Sequence, residues 1–278
     1  MKRIILIFPL FLFAAISLQP HPLAAQTIVH LPGTKATLEC YPANNSQLSV
    51  VVCPGGSYSW LDYKVEGVEV AQWLQTHGIS AFVLRYRVQG WWAWATHYRL
   101  LFRGNQYPDP LRDAEAALDW LATHADSLAI NPNGIGIMGF SAGGHLSMLS
   151  TYTRQPAFVA PIYPVVTMRQ PCCHSRSRRA LLGEYGKNKQ VMRDSLSLEL
   201  HVRPDCPPVF LVNCVDDPIV DYHNSVILDS ALTANNIPHR YIQYRTGGHG
   251  FGMSDTKGTP ECRPWRDEFL HWLQSLPL

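Results

Sequence analysis

The chain has 278 residues, long enough for a sizeable buried core. Its 23 lysines and arginines stand against 21 aspartates and glutamates, and two of the basic residues, Lys2 and Arg3, belong to the leader described next, so the remainder has no formal net charge. That balance excludes a basic surface built for nucleic acid or an anionic membrane, and neither partner is expected.

The chain opens as an export signal: Lys2 and Arg3 give the positive end, Ile4 to Leu18 the apolar stretch, and Leu23-Ala24-Ala25 a small-residue cleavage site. The apolar stretch is shorter than the ~20 residues a spanning helix needs, contains Pro9, and has no cysteine after the cleavage point to take a lipid. Residues 1–25 are therefore expected to be removed near Ala25, which exports the protein to a periplasm or beyond. Residues 26–278, roughly 250 in all, fit one α/β domain with no membrane association.

Along that domain β-branched runs alternate with amphipathic stretches. The runs Leu48–Cys53, Ile79–Tyr86, Gly134–Gly139, Phe158–Val166, Val209–Cys214 and His239–Tyr244 predict strands. Val65–Thr76, Pro110–Ala125, Ala142–Thr153, Asp221–Asn235 and Trp265–Gln274 predict helices. Pro110 suits a first helical turn, and Leu111, Ala114, Leu118 and Leu121 line one face behind it. The alternation predicts a mostly parallel, doubly wound sheet with helices on both faces. Two insertions interrupt it: residues 89–108, rich in tryptophan and tyrosine, and residues 167–203, rich in basic residues. Loops over the carboxyl ends of the strands are where such sheets build substrate sites.

Seven cysteines, at 40, 53, 172, 173, 206, 214 and 262, allow disulfides in an exported protein but leave at least one thiol unpaired. Cys53 and Cys214 fall in apolar runs and are expected to be buried, free and inert. Cys172-Cys173-His174 is a poor start for a tetrahedral metal site, because adjacent cysteines cannot spread around an ion and no C-x-x-C partner follows. No metal and no organic cofactor are expected.

The chemistry centres on Gly139-Phe140-Ser141-Ala142-Gly143, a G-x-S-x-G turn between a predicted strand and a predicted helix. Such a turn lifts the serine hydroxyl out of the backbone as a nucleophile elbow. A serine hydroxyl needs a base to take its proton and a carboxylate to orient that base. Asp217 follows the Val209–Cys214 strand and His249 follows the last strand, which gives the order serine, acid, histidine of α/β-hydrolases. Ser141 is thus the expected nucleophile, His249 the general base and Asp217 its orienting acid. Asp216 competes with Asp217, its alternative role being a turn residue that caps local amides. His145, four residues beyond Ser141 along the helix, is read as structural. The loop Pro54-Gly55-Gly56-Ser57-Tyr58 follows a strand, and the backbone N–H groups of Gly56 or Ser57, with that of Ala142, are the expected oxyanion donors.

These motifs, with Ala81-Phe82-Val83-Leu84-Arg85-Tyr86, Tyr107-Pro108-Asp109-Pro110-Leu111-Arg112-Asp113, Leu181-Leu182-Gly183-Glu184 and Gly247-Gly248-His249-Gly250-Phe251-Gly252, resemble the serine esterases around bacterial acetylxylan esterases and related lipase-like carbohydrate esterases. The resemblance runs over most of the domain. It implies the α/β-hydrolase fold and hydrolysis of short acyl groups, commonly acetyl, from plant-type polysaccharides or oligosaccharide fragments. Two positions depart from the pattern: Asp221 stands where the family usually has proline, and the 89–108 stretch is longer than usual. Trp91, Trp92 and Tyr58 are the expected substrate contacts, and for the tryptophans a sugar platform and a hydrophobic lid both stay open. Two rival functions keep the same fold: an exported peptidase-like enzyme or general carboxylesterase, and a binding protein without catalysis.

Overall fold

The structure of the protein, a computed structural model, describes residues 27–95 and 103–277. The leader, Tyr98, Phe102 and the side chain of Trp94 lie outside the described residues. The elements run β1 (Thr27–His30), β2 (Thr37–Tyr41), β3 (Ser49–Cys53), α1 (Glu69–Thr76), β4 (Ser80–Arg85), α2 (Trp91–Ala95), α3 (Asp109–Thr123), β5 (Ile135–Phe140), α4 (Ala142–Ser150), β6 (Val159–Ile162), α5 (Ser175–Gly186), α6 (Gln190–Ser195), β7 (Val209–Cys214), α7 (His223–Ala234), β8 (His239–Tyr244) and α8 (Trp265–Gln274).

The strands form one sheet in the order β1-β2-β4-β3-β5-β6-β7-β8. From β4 to β8 every pairing is parallel, while β1 and β2 join antiparallel at one edge. That antiparallel edge was not anticipated, because Thr27–His30 is short and half exposed and Glu39 and Tyr41 break the apolar run of β2. The inner strands bury both faces. Val51 and Cys53 of β3 belong to one core with Leu111, Leu118 and Leu121 of α3, Leu146 and Leu149 of α4, and Leu228 of α7. Val50 and Val52 face the other, with Val70 and Leu74 of α1 and Trp265, Phe269 and Trp272 of α8. The period-2 side-chain alternation thus feeds two cores from one run of valines. Burying each leucine of α3 contributes about 2 kcal/mol.

Three boundaries differ from the sequence expectation for identifiable reasons. β6 ends at Ile162, well short of Val166, because Tyr163 turns to φ 37° and leads the chain off the sheet. The helix expected from Val65 begins as a wide turn over Lys64–Val68 before tightening into α1. α7 starts at His223 because the Asp221 carboxylate accepts the His223 N–H at 3.0 Å. Among the described residues no helix is long and apolar enough to cross a membrane.

Candidate active site

Ser141 lies between β5 and α4 with φ 54° and ψ −115°, a conformation strained for a residue with a Cβ. The turn closes only because its flanks are glycine. A Cβ on Gly139 would stand 2.1 Å from the Gly143 carbonyl oxygen, and one on Gly143 would stand 2.0 Å from that of Cys53. Ser141 N–H donates to the Ile162 carbonyl at 2.9 Å, which fixes the elbow to the end of β6.

The structure brings together the three residues expected from widely separated segments. His249 Nε2 is 2.9 Å from Ser141 Oγ, and His249 Nδ1 is 2.6 Å from Asp217 Oδ2. Asp217 Oδ1 accepts the Ile219 and Val220 N–H groups at 2.8 and 2.9 Å, so this carboxylate is an acceptor on both oxygens and 1% exposed. Accepting from Nδ1–H leaves the Nε2 lone pair toward the Ser141 hydroxyl, the tautomer a base requires. Asp216 turns elsewhere: its Oδ1 accepts the N–H groups of Gly247 and Gly248 at 2.9 and 2.8 Å. It caps amides, but those of the His249 loop rather than its own turn.

The loop after β3 presses against the elbow, where a Cβ on Gly55 would meet Ser141 Cβ at 3.1 Å. Gly55 N–H is taken by Glu66 Oε2 at 2.8 Å. Ser57 and Tyr58 both adopt φ 58°, and the Gly56 carbonyl accepts the N–H groups of Ser59 and Trp60. Among the described residues the N–H groups of Gly56, Ser57 and Ala142 have no protein acceptor, as donors reserved for a ligand would not.

Tyr58 is a correction. Expected to touch substrate, it is 1% exposed, and its hydroxyl donates to His145 Nδ1 at 2.7 Å. His145 in turn donates Nε2–H to the Leu196 carbonyl at 2.9 Å. Burial lowers the His145 pKa to about 4, so it stays neutral and stitches the β3 loop to the 167–203 insertion. Trp91 and Trp92 are 62% and 69% exposed, with ring centroids 5.3 Å apart. The residues just before them, Gln89 and Gly90, donate backbone N–H groups to the carbonyls of Tyr58 and Ser59, which anchors the tryptophans beside the glycine loop.

Three residues near the site were missed from sequence. Glu66 is buried under the loop, and burial raises its pKa to about 7. Tyr163 packs its ring 4.8 Å from that of His249. His174, just before α5, shares a hydrogen bond with Ser177 Oγ at 2.8 Å, and burial and the His249 charge lower its pKa to about 4. No local pattern marks any of them: Glu66 falls in a stretch read as an amphipathic helix, and the contacts of Tyr163 and His174 with His249 join distant parts of the sequence.

Arg87 pairs with buried Asp113 at 2.7 Å, and Tyr86 Oη donates to the Pro54 carbonyl at 2.6 Å, tying α3 and the end of β4 behind the loop. All seven cysteines are free, Cys53 and Cys214 are buried as expected, and the sulfurs of Cys214 and Cys262 both lie beside Gly247. Among the described residues no three or more His, Cys, Asp or Glu side chains gather as metal ligands. A surface hollow of about 260 Å³ lies by Ile135, at the amino end of β5, the opposite end from Ser141.

Comparison with known proteins places this arrangement. Residues 44–160 match the BD-FAE family. An acetylxylan esterase of Xylanibacter ruminicola is 33% identical over 255 residues, covering 87% of this chain and 49% of that protein. Endo-1,4-beta-xylanase B of Butyrivibrio fibrisolvens is 27% identical over 221 residues, 74% of this chain and 33% of that protein. The chain thus spans half or less of the length of these two curated relatives. The solved structure of an acetyl ester-xyloside bifunctional hydrolase from Caldicellulosiruptor lactoaceticus is 31% identical with a TM-score of 0.76, covering 87% of this chain and 89% of that one.

Proposed function

This chain belongs to the α/β-hydrolase family of carboxylic ester hydrolases, related to acetylxylan esterases, and we propose that it removes short acyl groups, acetyl foremost, from carbohydrate such as acetylated xylan. The observation that carries the reading is the continuous chain from Ser141 Oγ through His249 to Asp217, at 2.9 and 2.6 Å. Ser141 attacks the ester carbonyl while His249 Nε2 takes its proton, and the imidazolium is held against Asp217. Charge on the carbonyl oxygen is met by the N–H groups of Ser57 or Gly56 and of Ala142, the last at the start of α4. His249 then protonates the leaving sugar hydroxyl. Water, deprotonated by the same histidine, releases the acid and restores Ser141. No step calls on a metal or an organic cofactor.

The domain reading, one catalytic unit over 26–278 carrying insertions at 89–108 and 167–203, belongs to the same proposal, as does export after cleavage near Ala25, which the Lys2-Arg3 and Ala24-Ala25 flanks of the leader support. The xylan context is supported by two relatives, one an acetylxylan esterase and one a xylanase. The test sets acetate release from acetylated xylan beside hydrolysis of 4-nitrophenyl acetate, butyrate and octanoate, with Ser141→Ala as control. Acetate release with acetate preferred is expected, and Ser141→Ala should be inactive on every substrate. Activity confined to the nitrophenyl esters would remove xylan and leave a general carboxylesterase. Full activity in Ser141→Ala would remove the mechanism.

A further inference from the structure

Beneath the proposed catalytic groups lies a carboxyl group that the mechanism above does not use. Glu66 is 2% exposed and accepts two hydrogen bonds: Gly55 N–H to Oε2 at 2.8 Å and Tyr163 O–H to Oε1 at 2.8 Å. Tyr163 Oη accepts the Gly252 N–H at 3.0 Å, and its ring lies 4.8 Å from that of His249. Each partner comes from a different loop at the active end of the sheet: Gly55 from the loop after β3, Tyr163 from the end of β6, Gly252 from the histidine loop after β8. A Cβ on Gly250 would stand 3.8 Å from Glu66 Oε1, so the carboxyl lies directly under the turn that carries His249.

Two donors and no acceptor face Glu66, a setting that favours its charged form once the site is assembled. We propose that Glu66 is a positioning residue of this site, a second carboxylate whose charge steadies the His249 imidazolium and whose two oxygens hold the oxyanion loop and the histidine loop in mutual register. The inference rests on the reading of Ser141 and His249 as nucleophile and base.

Its electrostatic logic follows from the groups that face it. Burial raises the Glu66 pKa to about 7, with the His249 charge pulling it down and Asp62 pushing it up. Asp62 is itself met by Lys257 at 3.9 Å, Tyr163 and Tyr86 supply neutral phenols, Asp217 bonds His249 Nδ1, and His174 interacts electrostatically with both. By reciprocity, the attraction that lowers the Glu66 pKa when His249 is charged also stabilises the imidazolium when Glu66 is charged. The proton that His249 takes from Ser141 is therefore stabilised by two carboxylates, one in direct contact and one below.

The experiment compares pH profiles of kcat and kcat/KM on 4-nitrophenyl acetate for the wild type, Glu66→Gln and Tyr163→Phe, each also titrated with a fluorophosphonate. Gln keeps the shape of the side chain and an acceptor for Gly55 N–H, so it removes the charge together with the acceptor that Tyr163 O–H uses. Glu66→Gln should lower kcat by on the order of tenfold or more, with KM unchanged, because the imidazolium formed as Ser141 attacks loses a nearby anion. Its acid limb should move to lower pH, because His249 loses a stabilising anion. Tyr163→Phe should move the limb the same way by a smaller amount, since the carboxyl loses a donor that favours its ionised form and carries its charge less of the time. A wild-type kcat and an unmoved limb in Glu66→Gln would overturn the proposal; should that variant not fold, an unmoved limb in Tyr163→Phe does so. Fluorophosphonate incorporation separates the two levels: a wild type that fails to label contradicts the Ser141 reading itself, whereas labelling with silent variants contradicts only the role of Glu66.

Discussion

Ser141, His249 and Asp217 stand on a floor where each side chain is fixed by partners from another loop, whereas Trp91 and Trp92 stand on a rim that is open. On the floor Ser141 is 3% exposed, and the Asp217 carboxylate takes three hydrogen bonds, counting the one from His249. On the rim two indoles, 62% and 69% exposed, sit on a helix of five residues. Fixed groups on the floor need no reorganisation as charge develops, while the exposed aromatic surface is of the kind that meets a ligand. Under the proposed function the contrast assigns bond chemistry and substrate choice to separate parts of the molecule, so substitutions in one should leave the other's observable alone.

The largest effect should come from the floor. Asp217→Asn is expected to lower kcat by on the order of 10⁴-fold, since the histidine loses both its tautomer and its counter-charge. Asp216→Asn should cost about tenfold, because it loosens only the Gly247 and Gly248 amides. Steady-state kinetics on 4-nitrophenyl acetate checks both, and the reverse ranking would exchange the two aspartates. Next comes pH. His145 and His174 stay neutral in the fold to about pH 4 but ionise near 6.5 when unfolded. A base whose folded pKa is depressed contributes stability above its unfolded value that is lost as pH falls, here from 6.5 toward 4. Glu66 acts oppositely: its ionisation, delayed from 4.5 to about 7, costs stability as pH rises through that window. The Tm should therefore fall on acidification below 6.5, and His145→Gln should flatten that fall; a Tm unchanged between pH 7 and 4 would contradict the buried neutral histidines. The smallest effect belongs to the rim. Replacing Trp91 and Trp92 by alanine should raise KM for acetylated polysaccharide several-fold, the loss of about 1 kcal/mol of contact, and leave 4-nitrophenyl acetate turnover unchanged. A fall in turnover of the small ester would erase the separation of floor from rim.

Much of this was legible before the fold was known, for physical reasons. The inner strands carry apolar residues on both faces, so β3, β5 and β7 announce themselves as unbroken runs. The elbow is local, since glycines and a serine within five positions encode the turn. Asp217 and His249 were singled out because a serine nucleophile demands such partners and each follows a predicted strand, and the fold carries them to Ser141. What escaped was long-range. Tyr58 looks from its motif like a group at the mouth of the site, and only the arrival of His145, 87 positions on, turns its hydroxyl inward. Glu66 sits 97 positions from Tyr163, and nothing in an amphipathic stretch says that one of its carboxylates faces in. The edge strands β1 and β2 are weakly apolar because one side of the sheet ends there.

The most direct test of the account is covalent. Purified protein is treated with a fluorophosphonate, digested, and the adduct located by mass spectrometry, with Asp217→Asn run in parallel. The account predicts one adduct per chain, on Ser141, formed far more slowly in Asp217→Asn. An unlabelled protein, or an adduct on another residue, would contradict the assignment of Ser141 as the nucleophile.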